Sequence, residues 1–484
     1  MQRRFGPVLF KEKVEIFAKN IKKRALIFSL ERFMHYINMI AILKYKPFNI
    51  QEFKMGKTVK VGIIGFGTVG AGAANNLLKN HDVILERTNV DVKLVRIADK
   101  DITSDRGVKV PAELLTTSVD ELIAESDIVV ELIGGTTIAG DFILKALNAG
   151  KAVVTANKAL LATRGAELFA AAEANNCDLY YEASVAGGIP VIKALREGLV
   201  SNNIERMYGI MNGTCNYILT RMEAEGAAFE PVLKDAQALG YAEANPSLDV
   251  DGFDTAHKAA ILAGLAYGKW FGLDAVSVEG IRNITQLDMT MAGKLGYRFK
   301  LLAVIKNIDG AVRISVAPTL IPANSMLGAI SGVFNGVMIE GDTVGQTLFY
   351  GRGAGRDATA SAVVADVVDV ALNIANGSVR RVPAFRAGSK DVELVNTDEV
   401  MSRFYLRLTV KEQPGVVAKV TDILAKNQIS ISSLMQPEGK ADELVPLLIV
   451  TYATPENAMQ KAMDEISKLD FVAEKINMFR IEDI

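Results

Sequence analysis

Apolar residues change their period along this chain, and the changes mark out its elements. Residues 59–64 form a short β-branched run, the pattern of a strand buried on both faces, and residues 71–78 follow as an Ala-rich helical stretch. Strand-like runs return at 92–98, 128–133 and 152–155, with helical stretches between them. Repeated strand–helix units predict a parallel sheet with helices on both faces. The period then falls to two. Residues 300–305 and 312–316 alternate, and Asp309-Gly310 between them predicts a tight antiparallel hairpin. Beyond a polar stretch at 390–399, a strand at 404–410 leads through Gln413-Pro414-Gly415 to a helix at 416–426. Strands at 429–434 and 444–452, a helix at 455–468 and a strand at 472–480 complete a βαββαβ order, which is ferredoxin-like.

Half of the 484 residues are apolar and 23% are charged, enough to bury the cores of several domains. A net charge of −2 gives no general attraction to nucleic acid or to an anionic membrane. The charge is uneven, however: residues 1–54 hold 12 Lys/Arg against 4 Asp/Glu. Their apolar stretch at 33–43 is 11 residues long, short of the roughly 20 that span a bilayer. No small-residue cleavage site follows it. Met55 stands directly before the first strand and is read as an alternative start, which leaves the basic extension over 1–56 without a function. Two cysteines, Cys177 and Cys215, are too few for a disulfide framework and lack metal spacing, which fits a reducing cytoplasm.

The first strand runs into Gly65-Phe66-Gly67-Thr68-Val69-Gly70, a G-x-G-x-x-G motif in the strand–turn–helix setting of a dinucleotide site. The first glycine allows the tight turn, the second lets a pyrophosphate approach the backbone, and the third lets helix pack on strand. The helix N-terminus then offers N–H groups to the phosphates. The second strand ends at Asp99-Lys100. An acidic residue there binds the adenosine ribose and favours NAD, whereas Lys100, or Arg96 turned inward, would take the 2′-phosphate of NADP. Asp99 stands 34 residues after Gly65, more than the usual ~20, so the first helix or the loop after it is extended. Gly134, closing the next strand, lets the cofactor's ribose lie against the backbone.

Five stretches resemble the homoserine dehydrogenase family in order and spacing. They are Thr155-Ala156-Asn157-Lys158; Glu182-Ala183-Ser184-Val185-Ala186-Gly187-Gly188-Ile189-Pro190; Asn212-Gly213-Thr214-Cys215-Asn216; Gly240-Tyr241-Ala242-Glu243 continuing through Asp249 and Asp254 to His257-Lys258; and Gly351-Arg352-Gly353-Ala354-Gly355. The resemblance implies NAD(P)H-dependent, reversible reduction of L-aspartate 4-semialdehyde to L-homoserine, on the route to threonine, methionine and isoleucine. It slightly favours NADP over NAD. It also implies a Rossmann domain over 57–190 completed by 350–376, an inserted α+β catalytic and dimerisation domain over 191–349, and a homodimer or homotetramer. Arg352 and Ala358 stand where proline is frequent in the family, which bears on the rigidity of that loop.

The chemistry can be argued from residue types as well. Reducing an aldehyde needs a hydride from the nicotinamide and a proton for the developing alkoxide. A buried lysine donates such a proton because desolvation weakens its hold on it. Lys258 stands four residues after Asp254, so on a helix the two share a face and pair. The resemblance gives the residues at Lys158 and Lys258 to proton transfer and those at Glu243 and Asp254 to the substrate, with Lys258 the acid–base and Lys158 contacting cofactor and substrate. It places Gly353 at the cofactor. It further implies a monovalent metal, Na⁺, held by Glu182 and the main-chain carbonyls of Val185, Gly187 and Ile189. A calcium loop through Asp249, Asp251 and Asp254 is excluded, because Ala260 stands where the bidentate Glu is required. His257 and Cys215 read as packed residues.

Pro414-Gly415 between strand and helix makes the unit over 400–484 resemble the ACT family of amino-acid-binding regulatory domains, with threonine, the pathway's end product, the obvious effector. Two rival readings are a dehydrogenase of another amino-acid semialdehyde and a ligand sensor built on a degenerate dehydrogenase. The joint presence of Lys158, Glu243, Asp254 and Lys258 speaks against decay.

Overall fold

The computed structural model describes residues 57–383 and 392–484; the basic extension over 1–56 lies outside them. Its first layer is a six-stranded parallel sheet, formed by β1 (Thr58–Ile64), β2 (Asp91–Ala98), β3 (Leu115–Thr116), β4 (Ile128–Glu131), β5 (Ala152–Thr155) and β6 (Leu179–Tyr180). The strand order is β3-β2-β1-β4-β5-β6. Helices α1 (Thr68–Lys79), α2 (Val119–Glu125), α3 (Ile138–Asn148) and α4 (Lys158–Ala174) connect the strands. The order reverses at β1 and β4, so a crevice opens beyond their carboxyl ends, where open α/β sheets hold ligands. A short extra helix, His81–Thr88, takes up the added residues between Gly65 and Asp99.

The second layer is a mixed sheet. Its strands β7 (Ile204–Ile210), β8 (Ser277–Val278), β9 (Tyr297–Ile308), β10 (Ala311–Pro322), β11 (Phe334–Gly341) and β12 (Gly345–Arg352) flank the helices α5 (Gly213–Glu225), α6 (Phe253–Tyr267) and α7 (Gln286–Lys294). β9 and β10 pair residue for residue from Ala311↔Ile308 outward. Asp309 (φ 50°) and Gly310 (φ 93°) form the turn, the positive-φ pair a two-residue hairpin requires. Alternate residues of β9 serve different cores: Leu301, Ala303 and Ile305 join the cluster that contains the helices, while Leu302 and Val304 pack with Tyr208, Ile210 and Met338.

After β12 the chain returns to the first layer as α8 (Arg356–Asn376), packed along α1. Among the described residues α8 is the one helix long and apolar enough to cross a membrane. It is a core helix here: Val363, Val367 and Val370 are buried, and the buried Asp366 and Asn373 bond to Glu182 and Asp178.

The last elements are β13 (Met401–Lys411), α9 (Val416–Lys426), β14 (Ile431–Met435), β15 (Leu444–Thr451), β16 (Thr454–Pro455), α10 (Glu456–Ile466) and β17 (Asn477–Ile481). Their main strands lie in the order β17-β13-β15-β14, around a separate core that includes Phe404, Val420, Leu447 and Met459. β17 also pairs in parallel with β10, at Thr319↔Arg480 and Leu320↔Ile481, so this unit and the second layer share one sheet.

Candidate active site

The site is built on the first turns of α6. Gly252 caps that helix with φ 92°, and a Cβ there would stand 3.0 Å from Val278 and 3.2 Å from the Glu279 carbonyl. Only glycine suits both the backbone angle and the contact. The turn that follows sends Asp254 and Lys258 in the same direction. Both are buried, and the Lys258 Nζ donates to Asp254 Oδ2 at 2.7 Å and to the Met211 carbonyl at 2.6 Å.

Lys158 reaches the same carboxylate from the other layer. It is the first residue of α4, just past β5, and its Nζ lies 3.3 Å from Asp254 Oδ1 with the side chain about one-third exposed. Asn212 completes the cluster from the N-cap of α5. Its Nδ2 donates to Asp254 Oδ2 (2.9 Å) and Asp249 Oδ1 (2.7 Å), while its Oδ1 accepts from the Cys215 N–H (2.8 Å). Burial alone would push the Asp254 carboxyl up. The two ammonium groups, with hydrogen bonds from Lys258 and Asn212, override it and hold Asp254 below the usual carboxylate range. Asp249, without a bonded cation, is pushed up by burial.

The neighbours separate into partners and bystanders. Burial pushes the Cys215 thiol well up, and its Sγ donates to the Asp249 carbonyl, so it is a packed thiol and no nucleophile. Burial lowers the His257 imidazole, keeping it neutral; its buried Nδ1 has no hydrogen-bond partner among the described residues. Glu243 is exposed; its carbonyl accepts from Gln237, and its carboxylate makes no ion pair with Lys158 or Lys258. Asp251 turns away to Arg282, while Asp249 and Asp254 share the Asn212 amide and Asp254 alone pairs with the lysines. Among the described residues no group of three or more His, Cys, Asp or Glu side chains converges as a metal cage.

The crevice fits a dinucleotide. Gly65 (φ 101°) lies against the Leu132 backbone, leaving no space for a side chain. The N-terminus of α1 has no side-chain cap and no acidic residue in its first turn, so its N–H groups are available to an anion. A Cβ on Gly67 or Gly134 would meet nothing within 4 Å, so the space above these glycines is open. Asp99 Oδ2 accepts from the Phe66 N–H (2.5 Å) and Oδ1 from the Asp101 N–H (2.9 Å), so the carboxylate shapes the glycine turn from β2. Lys100 is exposed beside it. Arg96 turns the other way, to Glu125 and the Glu113 carbonyl, and so does not reach the 2′-position.

Where the chain leaves the parallel sheet, Gly187 packs on the Gly353 backbone, and the Gly188 N–H donates to the Arg352 carbonyl at 3.2 Å. The buried Glu182 carboxylate accepts from the Ile192 and Lys193 N–H groups at 2.8 and 2.7 Å. Among the described residues the Val185 and Gly187 carbonyls accept no hydrogen bond, and the Ile189 carbonyl accepts from Val191.

Comparisons with known proteins agree with this geometry. A family profile described as homoserine dehydrogenase matches residues 190–368, and one described as the homoserine dehydrogenase NAD binding domain matches 65–182. The homoserine dehydrogenase of Pseudomonas aeruginosa is 43% identical over 435 residues, covering 88% of this chain and 100% of the relative. That of Bacillus subtilis is 38% identical over 429 residues, covering 88% and 99%. The crystal structure of a homoserine dehydrogenase from Thiobacillus denitrificans superposes with a TM-score of 0.83 at 43% identity, over 88% of this chain and 99% of that one. A hyperthermophilic archaeal homoserine dehydrogenase in complex with NADPH superposes at 0.55 and 30% identity, over 65% and 98%. With both layers and the aspartate–lysine cluster inside these matches, the chain belongs to the homoserine dehydrogenase family.

Proposed function

We propose that the chain performs its family's reaction, L-aspartate 4-semialdehyde to L-homoserine and back, with Lys258 as the acid–base. The observation that carries this is the buried Asp254 carboxylate holding two ammonium groups from two layers, at 2.7 and 3.3 Å, beyond the strand ends of the nucleotide sheet. NADPH, when bound, supplies the hydride to the aldehyde carbon. Lys258 has three N–H bonds; two are taken by Asp254 and Met211, and the third remains for the substrate's carbonyl oxygen. Through it Lys258 gives a proton to that oxygen as negative charge develops, and takes it back in the reverse direction. Asp254, ionised by its neighbours, orients the donor. Lys158, nearer solvent, contacts cofactor and substrate, and Glu243 takes the substrate's α-ammonium.

NADP is the assigned cofactor, with NAD the alternative: both Asp99 oxygens are already engaged by backbone N–H groups, Lys100 stands exposed beside them, and the archaeal relative binds NADPH. Glu182, with the carbonyls of Val185, Gly187 and Ile189, offers the hard oxygen donors that suit Na⁺. The β17-β13-β15-β14 unit is read as an ACT domain with threonine its effector. A homodimer or homotetramer is assigned, and a cytoplasmic setting, in keeping with two buried free thiols.

The test is absorbance of reduced nicotinamide with homoserine plus NADP⁺ or NAD⁺, for wild type and Lys258→Ala. Turnover by wild type, nearly lost in a variant that still binds cofactor, supports the assignment; an active Lys258→Ala removes Lys258 from the chemistry.

A further inference from the structure

Arg356 has no carboxylate partner among the described residues. It opens α8, and its stem crosses α1 at Gly72, where an added Cβ would stand 3.0 Å from Arg356 Cγ. Its Nη1 lies 3.8 Å from the place a Cβ on Gly107 would occupy, so the guanidinium ends beside the loop 101–107. That loop leaves β2 directly after Asp99 and Lys100, the adenosine end of a dinucleotide site. Its buried Nε makes no hydrogen bond among the described residues.

Of the nearby basic groups Lys100 is exposed beside Asp99, and two arginines are committed elsewhere. Arg96 is paired with Glu125, and Arg106 binds the Asp101 carboxylate and carbonyl. The carboxylates that face the region are also engaged: Asp99 by the Phe66 and Asp101 N–H groups, Asp101 by Thr103, Ser104 and Arg106. The returning helix therefore sets an uncommitted guanidinium, on a half-buried side chain, beside the loop that follows β2, some 250 residues away in sequence.

We propose that Arg356 is a specificity residue for the cofactor, its planar fork receiving the 2′-phosphate of NADP; this rests on the NADP reading above. A guanidinium binds phosphate through two parallel N–H···O bonds, while NAD offers only a hydroxyl at the same position. Gly72 has a part in this, since the stem reaches the ribose only across a residue without a side chain.

The experiment compares wild type, Arg356→Ala and Arg356→Lys as full chains. Titration calorimetry gives Kd for NADP⁺, NAD⁺, 2′,5′-ADP and 5′-AMP, and kcat/KM is measured with both cofactors. Arg356→Ala is expected to weaken NADP⁺ and 2′,5′-ADP by about 10- to 100-fold, the worth of a charge-assisted bond. It leaves NAD⁺ and 5′-AMP within about twofold, which also reports an intact fold. Arg356→Lys recovers part of the loss. Equal weakening of NADP⁺ and NAD⁺ would place Arg356 on the pyrophosphate and overturn the proposal, as would no change in NADP⁺ binding by a wild type that prefers it. Equal wild-type affinity for the two cofactors would instead sink the NADP reading itself.

Discussion

Breaking the Asp254–Lys258 pair from its two sides will have unequal consequences. At 2.7 Å and an effective dielectric of about 20, the Coulomb attraction is at most about 6 kcal/mol. Both ions are buried, so the measurable effect of removing one is smaller, and it depends on what the other keeps. Asp254→Asn leaves Lys258 with the Met211 carbonyl and Lys158 with no carboxylate, and we expect a loss of about 3–5 kcal/mol. Lys258→Met leaves Asp254 bonded to Asn212 at 2.9 Å and paired with Lys158 at 3.3 Å, so the loss should stay near 1–2 kcal/mol. In the double variant the pair term disappears, and the two costs should fall short of additivity by about 2 kcal/mol. Urea unfolding can be followed through Trp270, the single tryptophan, which packs against Phe169 and Gly165 of α4. Costs that add to within about 0.5 kcal/mol would show that the pair is uncoupled and that Asp254 does not hold the proton donor. Activity supplies an independent axis: Lys258→Met should lose about 10²–10⁴-fold in kcat, the worth of a general acid, with cofactor affinity unchanged.

Other perturbations follow from buried charges elsewhere. Burial pulls the Lys300 ammonium down to about 8, with Nζ bonded to Asn216 and the Ile330 carbonyl. Its folded value is below its unfolded one, so the unfolded chain binds more protons between the two, and stability rises with pH across that window, from about 8 to about 10.5, by ~3 kcal/mol. Thermal melts of Lys300→Met should lack that rise, and parallel pH profiles for the two proteins would refute it. Asp254 has the same sign in a lower window: its depressed value contributes stability above about pH 4 that is lost as the pH falls further. The stability gap between wild type and Asp254→Asn should therefore narrow in acid, as urea midpoints at pH 3 and 7 will show. Arg407→Ala strips the fully buried Asp288 of its cation, for a loss of about 3 kcal/mol in urea, and should abolish any threonine effect on rate while kcat without threonine stays within about twofold. Glu182→Gln should remove a sodium dependence of activity, read by replacing NaCl with choline chloride; an unchanged dependence would move the cation elsewhere.

Much of the fold was legible because its signals are local. The run into Gly65-Phe66-Gly67-Thr68-Val69-Gly70 marks strand, turn and helix within a dozen residues, and Asp254 and Lys258 declare their shared face by spacing alone. Long-range pairings left less trace. Asn212 reaches residues 37 and 42 positions away, a pairing that no local spacing announces. Alternation in β2 does not say that Arg96 turns to Glu125 on α2, nor that Asp99 spends its oxygens on its own glycine loop. β9 and β10 run to twelve residues each, beyond the apolar centre, and Arg298 and Lys306 near the ends of β9 find Glu223 and Glu482 across the fold. The last strand begins later than its apolar pattern, at Asn477, because Val472 and Ile476 pack against the core of the C-terminal unit.

The same distinction explains how the C-terminal unit meets the site. The shared sheet through β10 and β17 ties the two mechanically, but a shorter route runs through the segment that includes β8 and leads into α7. Arg407 on β13 donates to Asp288 (2.8 Å) and to the Asn283 carbonyl (3.3 Å). One residue before Asn283, Arg282 binds Asp251 and Ser247, and the Ile281 N–H donates to the Val250 carbonyl. Gly280 lies directly on Val250 and Asp251, with no space for a side chain between them. The loop so held, 247–252, is the one that ends at Gly252 and launches Asp254 and Lys258. Hydrogen bonds and packed backbone thus link a strand of the C-terminal unit, through the segment 280–288, to the turn that presents Asp254 and Lys258.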